Sequence, residues 1–544
     1  MIEQQTVRER KDRASSLGGE LETFPVSLYY GAESGVGNRN CVYGVAHSFN
    51  KDGLRLRADV SIPAGVKVHV RFHLPDAVAG ISTGLRCEFT GTVERSREAP
   101  VVNEPGHRAG DEMPFEIVLG FSGDVMSLVE GSLQRRRRWA FSAMLVLLSM
   151  MLWYRWVNFY WFWYYPALHT YSIAIGTYFL SRFLISHFNR PPLPTDYEPA
   201  VAIVIAVRNE EDAIGRTIEG CYHTLYPAEK REVIVVNDGS TDRTAEVLAR
   251  MKEKYSDLKV HTQPPTGKRL AMAKGVWDTE AEIVVFVDSD TFLHPLALRH
   301  IVCGFEDPTL GASSGHTEVE NGDQNALTRM QEIRYNVGYK LMKASESTFS
   351  AVSCCPGCLS AYRRAYLLPI LEPWLNQMFL GAKATFGDDR SLTNRILRDY
   401  RIIYNDRALC TTLVPDNWGK FMRQQVRWKK SWLRETLIAA KFIARKHPIG
   451  ALSFWASAVC SVMSPFVFYR AVWLGLTDPN NSFASYILGF ISVGLLQCCY
   501  FIWRNPTHRN ALLGMYMMAI QLAITGPQTY YALLTMRKNH WGTR

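Results

Sequence analysis

Over residues 1–130 apolar and polar positions alternate in short runs. Examples are Gly53-Leu-Arg-Leu-Arg57, Val66-Lys-Val-His-Val-Arg-Phe72 and Glu116-Ile-Val-Leu-Gly-Phe121. A period of two buries one face of a strand, and Gly, Pro and Asn separate the runs, so the pattern predicts a small β-barrel or sandwich. The pattern changes at Gln134-Arg-Arg-Arg-Arg138. From Trp139 to about Tyr154 the chain is nearly uncharged; a belt of Trp, Tyr and Phe follows over 156–165, and a second apolar stretch runs to about Ile185. A hydrocarbon core takes about 20 helical residues, and Trp and Tyr favour its interface. These features predict two transmembrane helices over 139–186, the alternative being one buried hairpin of a soluble protein. The Arg cluster sets residues 1–138 on the cytoplasmic side.

A second apolar pair, Leu452 to about Leu476 and Phe483 to about Trp503, predicts two more spans within 448–504. The basic loop Arg504–Arg509 after them is expected to be cytoplasmic. The last apolar run, Ala511 to about Gly526, is shorter and meets Pro527, so 511–544 is expected to hold an interfacial helix and a tail. Between the two pairs lies a different pattern. Ala200–Val207, Val233–Val236 and Ile283–Val287 are near-continuous apolar strands alternating with helical stretches. This predicts an α/β domain over 195–440 whose parallel sheet is buried on both faces. Such sheets bind ligands at the carboxyl ends of their strands. Three polar clusters stand there: Arg208–Asp212, Asn237–Asp242 and Asp288-Ser-Asp290.

Composition changes this picture little. The 544 residues carry a formal charge of +10, with 21% charged residues, which excludes a wholly disordered chain. The 11 Cys lack framework spacing, so no disulfide-stapled module is expected. Residues 1–20 have no apolar core, so no signal peptide is expected either. Basic charge can serve nucleic acid, anionic lipid or an anionic substrate. Here the Arg runs set topology and the stretch 420–434 faces diphosphate and lipid, so no nucleic-acid partner is expected.

Four groups carry chemistry. Asp288 and Asp290 flank one small residue at a strand exit and can hold a hard divalent cation that leaves positions open for phosphate oxygens, or they cap a solvated turn. Gly267-Lys-Arg269 opens a helical stretch, where two cations suit a diphosphate. Phe386-Gly-Asp-Asp-Arg390 offers a general base for a sugar hydroxyl; alternatively Asp388 or Asp389 caps the following helix. Gln424-Gln-Val-Arg-Trp428 supplies a flat ring for a sugar beside groups that reach phosphate or hydroxyls, on a helix whose basic face also suits anionic lipid.

Taken in order, Asp238 in VVNDGSTD, Lys268 in GKR, Asp288-Ser-Asp290, Gly387-Asp-Asp389 and Gln424–Trp428 resemble the motifs of processive family-2 glycosyltransferases, the membrane synthases of cellulose, chitin and hyaluronan. Ser353-Cys-Cys-Pro-Gly-Cys-Leu359, GDDRSLTNR at 387–395 and the terminal Trp541-Gly-Thr-Arg544 are similar to the hyaluronan and nodulation-type chitin-oligosaccharide branch. The resemblance implies a GT-A-type domain inserted between transmembrane helices of a bacterial inner-membrane, multi-pass protein. Asp238 would line the uridine pocket and Lys268 the diphosphate. Asp288 and Asp290 would hold the nucleotide with Mg2+ or Mn2+, and Asp389 would be the base of an inverting transfer. Gln424, Gln425 and Arg427 would lie near the diphosphate, Trp428 and Gly357 at the acceptor, and Trp541 and Arg544 in a gating loop. The expected partners are a UDP-sugar donor, the growing polysaccharide, the bilayer and envelope export proteins. A β-glucan or mannuronan synthase, and a non-processive transferase acting on a lipid-linked sugar, are the alternative readings. The family loop usually carries Pro where this chain has Cys358, and Cys354, Cys355 and Cys358 find no fourth zinc ligand at a matching spacing.

The N-terminal domain resembles PilZ, a small barrel that binds cyclic di-GMP. Arg8, Arg10 and Arg13 would clamp its phosphates, although they do not fall in the RxxxR spacing; otherwise they form a basic tail. Ser48-Phe-Asn-Lys-Asp-Gly53 stands where the family has [D/N]xSxxG.

Overall fold

The computed structural model describes residues 24–30, 40–49, 53–58, 60–74, 85–98, 114–121, 134–161, 166–477, 482–505 and 511–537. The chain forms two compact units, Met1–Ala140 with Ile502–Arg509, and Phe141–Phe501 with Asn510–Arg544.

The first unit contains strands β1 (Phe24–Tyr30), β2 (Asn40–Phe49), β3 (Gly53–Ala58), β4 (Lys67–Leu74), β5 (Leu85–Glu98) and β6 (Phe115–Phe121). They pair antiparallel in the order β1-β2-β3-β6-β5-β4 and close, so the barrel is realised rather than the sandwich. Alternation does the sorting: Leu54, Leu56 and Ala58 are fully buried with Val68, Val70, Phe72, Ile117 and Leu119, while Arg55 faces out. Gly53 is required where β3 meets β6, because a Cβ there would collide with the Leu119 carbonyl oxygen. Arg8, Arg10 and Arg13 lie outside the described residues. Helix α1 (Gln134–Trp161) starts in this unit, where Arg137 Nε donates to the Trp503 carbonyl at 3.0 Å.

The second unit is built on an eight-stranded sheet. Its strands are β7 (Val201–Val207), β8 (Arg231–Asp238), β9 (Lys259–Gln263), β10 (Ile283–Asp288), β11 (Thr291–Leu293), β12 (Leu310–Val319), β13 (Ser360–Arg363) and, after a two-stranded ribbon β14 (Met378–Phe379) and β15 (Ala382–Lys383), β16 (Arg401–Thr412). The order is β11-β16-β12-β13-β10-β7-β8-β9. The three strands expected from their apolar runs, β7, β8 and β10, are parallel neighbours. The expectation of a wholly parallel sheet is corrected: β13 runs antiparallel to β10 and β12, and β11 antiparallel to β16. β13 is only four residues long and enters directly from the 353–359 loop, so no crossover helix separates it from the site.

Helices cover the sheet or leave it. In chain order they are α2 (Pro166–Ser186), α3 (Ile214–Tyr222), α4 (Thr244–Lys254), α5 (Lys268–Trp277), α6 (Ala297–Ile301), α7 (Ala326–Val337), α8 (Ala344–Ser347), α9 (Arg364–Leu375), α10 (Asp388–Asp399), α11 (Trp418–Ala439), α12 (Pro448–Thr477), α13 (Ser482–Arg504), α14 (Leu513–Ile520) and α15 (Gln528–Leu534). One core packs Ile203, Ile205, Val233, Val235 and Val285 against α3 and α6; a second packs Val204, Val284 and Phe286 against α5, α9 and α10.

Helices α1, α2, α12 and α13 occupy the stretches from which four spans are expected. Among the described residues, one segment, Pro448–Arg470, is long and apolar enough to cross a bilayer, with a mean hydropathy of 1.6, and Ile491–Arg504 is a shorter apolar helix. The single interfacial helix expected over 511–536 is two helices joined by a π-turn at Gln521–Thr525, with Pro527 ahead of α15.

A buried ion pair ties the two halves of the sheet's carboxyl edge. Arg269, in the first turn of α5, donates from Nε to Asp388 Oδ1 at 2.7 Å, and its other nitrogens reach the Trp374 and Phe386 carbonyls and Gln377 Oε1. Both side chains are under a tenth exposed. Removing one partner of such a pair strands a charge, at a cost of about 3–5 kcal/mol. Arg269→Met should therefore lower the thermal unfolding temperature by several degrees; an unchanged transition would contradict the role assigned to the pair.

Candidate active site

The site assembles where β7, β8 and β10 end. Asp238 closes β8 and is 4% exposed. Its Oδ1 accepts from Gln263 Nε2 and Thr266 N, each at 2.9 Å, and its Oδ2 from Gly267 N at 2.9 Å. The carboxylate thus fixes the turn that introduces α5. Gly267, at φ +106°, takes a conformation that side-chain-bearing residues avoid. The turn presents Lys268 and Arg269 in opposite directions. Lys268 Nζ pairs with Asp288 Oδ1, while Arg269 points into the core. The expectation of two diphosphate cations is corrected on this point: Arg269 is spent on Asp388. Burial works against the Lys268 ammonium, but Asp288, then Asp388 and Asp389, outweigh it and hold its pKa above the usual lysine range.

Asp288 ends β10, and Asp290 is 7% exposed two residues on. Burial, then the neighbouring Asp288 charge, pushes the Asp290 carboxyl up to about 7, with Lys268 pulling the other way. Two crowded carboxylates of this kind fit a divalent cation, whose charge would relieve both effects. Among the described residues no three His, Cys, Asp or Glu side chains gather as a metal cage. A cation here would therefore rest on Asp288, Asp290 and oxygens of its ligand. Gly357 lies against this pair: a Cβ there would sit 2.7 Å from Asp288 Oδ1. Cys358 donates its S–H to Asp288 Oδ2 at 3.7 Å.

Gly387, at φ +76°, turns the chain into α10, and no side chain caps that helix, so neither aspartate takes the capping role. Asp388 is the buried partner of Arg269. Asp389 is half-buried, accepts from Arg390 N at 2.7 Å and receives the Cys354 S–H at 3.6 Å. The 353–359 loop is held on both flanks. Glu346 accepts from Ser353 N at 2.9 Å, and Thr393 Oγ1 accepts from Cys355 N at 2.9 Å while donating to the Asp389 carbonyl at 2.7 Å. Thr393 and Glu346 were not singled out from the sequence, and only their spacing from the recognisable motifs could have drawn attention to them.

Helix α11 begins at Asn417, whose side chain accepts from Lys420 N at 2.9 Å. It brings Gln424, Gln425, Arg427 and Trp428 to the same cavity as Asp238, Lys268, Asp288, Asp290, Gly357 and Asp389. Gln425 is 3% exposed and accepts from Arg334 at 2.9 Å; Trp428 is 37% exposed. Arg334, on α7, is a wall residue absent from the sequence reading. Trp541 and Arg544 lie outside the described residues. The cavity has a volume of about 1950 Å³ and continues from the strand ends past Trp428 to Tyr171, Ser464, Gln497 and Thr525 on α2, α12, α13 and the π-turn.

A family profile described as "Glycosyltransferase like family 2" matches residues 199–431. A hyaluronan synthase of Streptococcus pyogenes serotype M3 is 32% identical over 386 residues, covering 69% of this chain and 90% of that one. An N-acetylglucosaminyltransferase of Azorhizobium caulinodans is 28% identical over 355 residues, covering 64% and 87%. Among solved structures, the mannosyltransferase PcManGT from Pyrobaculum calidifontis, in complex with GDP-Man and Mn2+, shares the fold with a TM-score of 0.50 at 22% identity, covering 69% of this chain and all of that one. The sheet with its carboxyl-edge site is a GT-A-type fold, and the chain belongs to glycosyltransferase family 2 as a hexosyltransferase.

Proposed function

We propose that the protein is a processive, inverting polymerase that extends a β-linked polysaccharide from a UDP-sugar and passes it across a bacterial inner membrane. The observation that carries this reading is the continuity of one cavity, from Asp238 and Asp288 past Trp428 to the apolar helices. A transferase that releases each product to the cytoplasm has no use for such a passage. The helices also present apolar rings and chains outward: Trp153 and Trp156 on α1, and Leu452, Phe466 and Trp473 on α12, are all exposed. In this plan residues 139–186 and 448–504 span the membrane around the 195–440 catalytic domain, with 511–544 at the interface. The closed barrel of 1–130 suits a PilZ-like regulatory domain answering to cyclic di-GMP.

The chemistry follows from the side chains. Asp238 lines the nucleoside end through the turn it holds. Lys268 and Arg427, with Gln424 and Gln425, face the diphosphate. Asp288 and Asp290 would hold Mg2+ or Mn2+, which supplies neutralisation of the charge that develops on the departing diphosphate. Trp428 floors the acceptor, with Gly357 across from it. Asp389 takes the proton from the acceptor hydroxyl as that oxygen attacks the anomeric carbon opposite the leaving group. No enzyme nucleophile is needed, because the transfer inverts in one step.

Two substitutions test the assignments. Asp389→Asn should cut polymer formation by about 10²–10⁴-fold while UDP affinity holds, as expected for loss of a general base. Polymer made at the normal rate would remove Asp389 from that role. Gly357→Ala places a methyl group against Asp288 and should cost about 1–3 kcal/mol in donor binding, seen as a higher KM for the nucleotide sugar. An unaltered KM would show that the approach of the loop to Asp288 does not matter to donor binding.

A further inference from the structure

Three cysteines stand in the loop over the site, and each is turned to a different partner. Cys355 is fully buried, with its N–H on Thr393. Cys358 reaches Asp288. Cys354 reaches Asp389: its S–H donates to Oδ2 at 3.6 Å, and both residues line the cavity.

The Asp389 carboxylate is held unevenly. Oδ1 accepts from Arg390 N at 2.7 Å, a firm bond to the next residue in the first turn of α10. Among the described residues, Cys354 is the one hydrogen-bond donor to Oδ2. Oδ2 is therefore the oxygen open to an acceptor hydroxyl, and a thiol is what keeps it in place. A thiol suits that task. An S–H is a weak donor, so a hydroxyl that makes a charge-assisted bond to the carboxylate displaces it at little cost. A strong donor at the same oxygen would compete with the acceptor. Nor does serine replace it: a hydroxyl on the same Cβ would stand farther from Oδ2 than the about 2.5–3.0 Å that an O–H···O bond requires. The thiol also stays protonated, because burial, then the Asp389 charge, pushes it up to about 12.

The backbone that carries the thiol is fixed on both sides. Glu346 accepts from Ser353 N at 2.9 Å and from Ser353 Oγ at 3.0 Å. Lys343, at the end of the π-turn Gly338–Lys343, donates to the Cys354 carbonyl. Thr393 Oγ1 accepts from Cys355 N at 2.9 Å and donates to the Asp389 carbonyl at 2.7 Å. One hydroxyl thus ties the backbone beside the thiol to the backbone of the aspartate it meets.

We propose that Cys354 is a positioning residue for Asp389, its S–H fixing Oδ2, the oxygen that takes the proton of the acceptor hydroxyl. This rests on the reading of Asp389 as the base.

The test uses the full-length protein in lipid nanodiscs. Infrared difference spectra isolate the S–H stretch of Cys354 as the band lost in Cys354→Ala. In the unsubstituted protein that band should lie at the low frequency of an S–H bound to a carboxylate, and Asp389→Asn should move it upward. A band at the frequency of a free thiol, or one that Asp389→Asn leaves in place, would overturn the proposal. Turnover of the UDP-sugar that the unsubstituted protein incorporates gives the second readout. Cys354→Ala and Cys354→Ser should each lower kcat by about 3–10-fold, the loss of one weak hydrogen bond, with KM for the donor and affinity for UDP unchanged. Cys354→Val, which fills the space without donating, should fall with them. A valine variant at full rate would show that the position supplies bulk rather than a donor, and the inference would fail. A loss confined to KM or to UDP affinity would overturn it equally. Asp389→Asn separates this inference from the reading beneath it. Polymer made at the normal rate by that variant removes the base, and the role of the thiol with it. Synthesis lost there but kept at full rate in Cys354→Ala overturns only the thiol.

Discussion

The ion pair between Arg269 and Asp388 is the constraint on which the geometry of the site depends. It joins the first turn of α5 to the first turn of α10, two helices 119 residues apart in sequence, with both side chains under a tenth exposed. Asp238 performs the complementary task from the other side, with both carboxylate oxygens on the backbone of the Thr266–Gly267 turn. Between these two anchors the turn has one orientation left. Lys268 then meets Asp288, and Asp389 stands beside Cys354. A buried pair of this kind contributes little net stability compared with apolar packing. Its value lies in excluding other arrangements of α5 and α10.

The same logic extends to the apolar helices. The end of α2 is tied to α8 by Ser345 Oγ donating to the Arg182 carbonyl at 2.8 Å and Thr348 Oγ1 to the Ile185 carbonyl at 3.1 Å. Glu346, between those residues, holds Ser353 at the start of the loop over the site. Tyr500 on α13 donates to the Lys340 carbonyl at 3.1 Å. The loop bearing Gly357 and Cys358 is thus one short helix away from α2. Hydrogen bonds, rather than a flexible linker, thus connect α2 to that loop.

Much of this was legible in the sequence, and what was hidden has physical reasons. β7, β8 and β10 announce themselves as unbroken apolar runs because both faces of those strands are buried. β12, LGASSGHTEV, is equally buried at all ten positions yet reads as polar, because it carries Ser313, Ser314, His316, Thr317 and Glu318 into the interior, where the Tyr404 hydroxyl meets His316 and the Tyr339 hydroxyl donates to Thr317. No period marks it, so the mixed half of the sheet was missed. In the barrel, β3, β4 and β6 were found by alternation, and β1, β2 and β5 were not. The aspartates at strand ends were recognisable from motif order. The direction each cation would take was not: Lys268 and Arg269 are adjacent and chemically similar, and only the turn at Gly267 decides which one faces the cavity.

The central claim is that synthesis and passage share one cavity, and a sealed-vesicle measurement tests it most directly. With the protein reconstituted so that the catalytic domain faces outward, radiolabelled UDP-sugars are supplied outside and the product is exposed to a polysaccharide-degrading enzyme. The account predicts that long polymer survives until the vesicles are opened with detergent. Polymer that is fully digested while the vesicles remain sealed would contradict it.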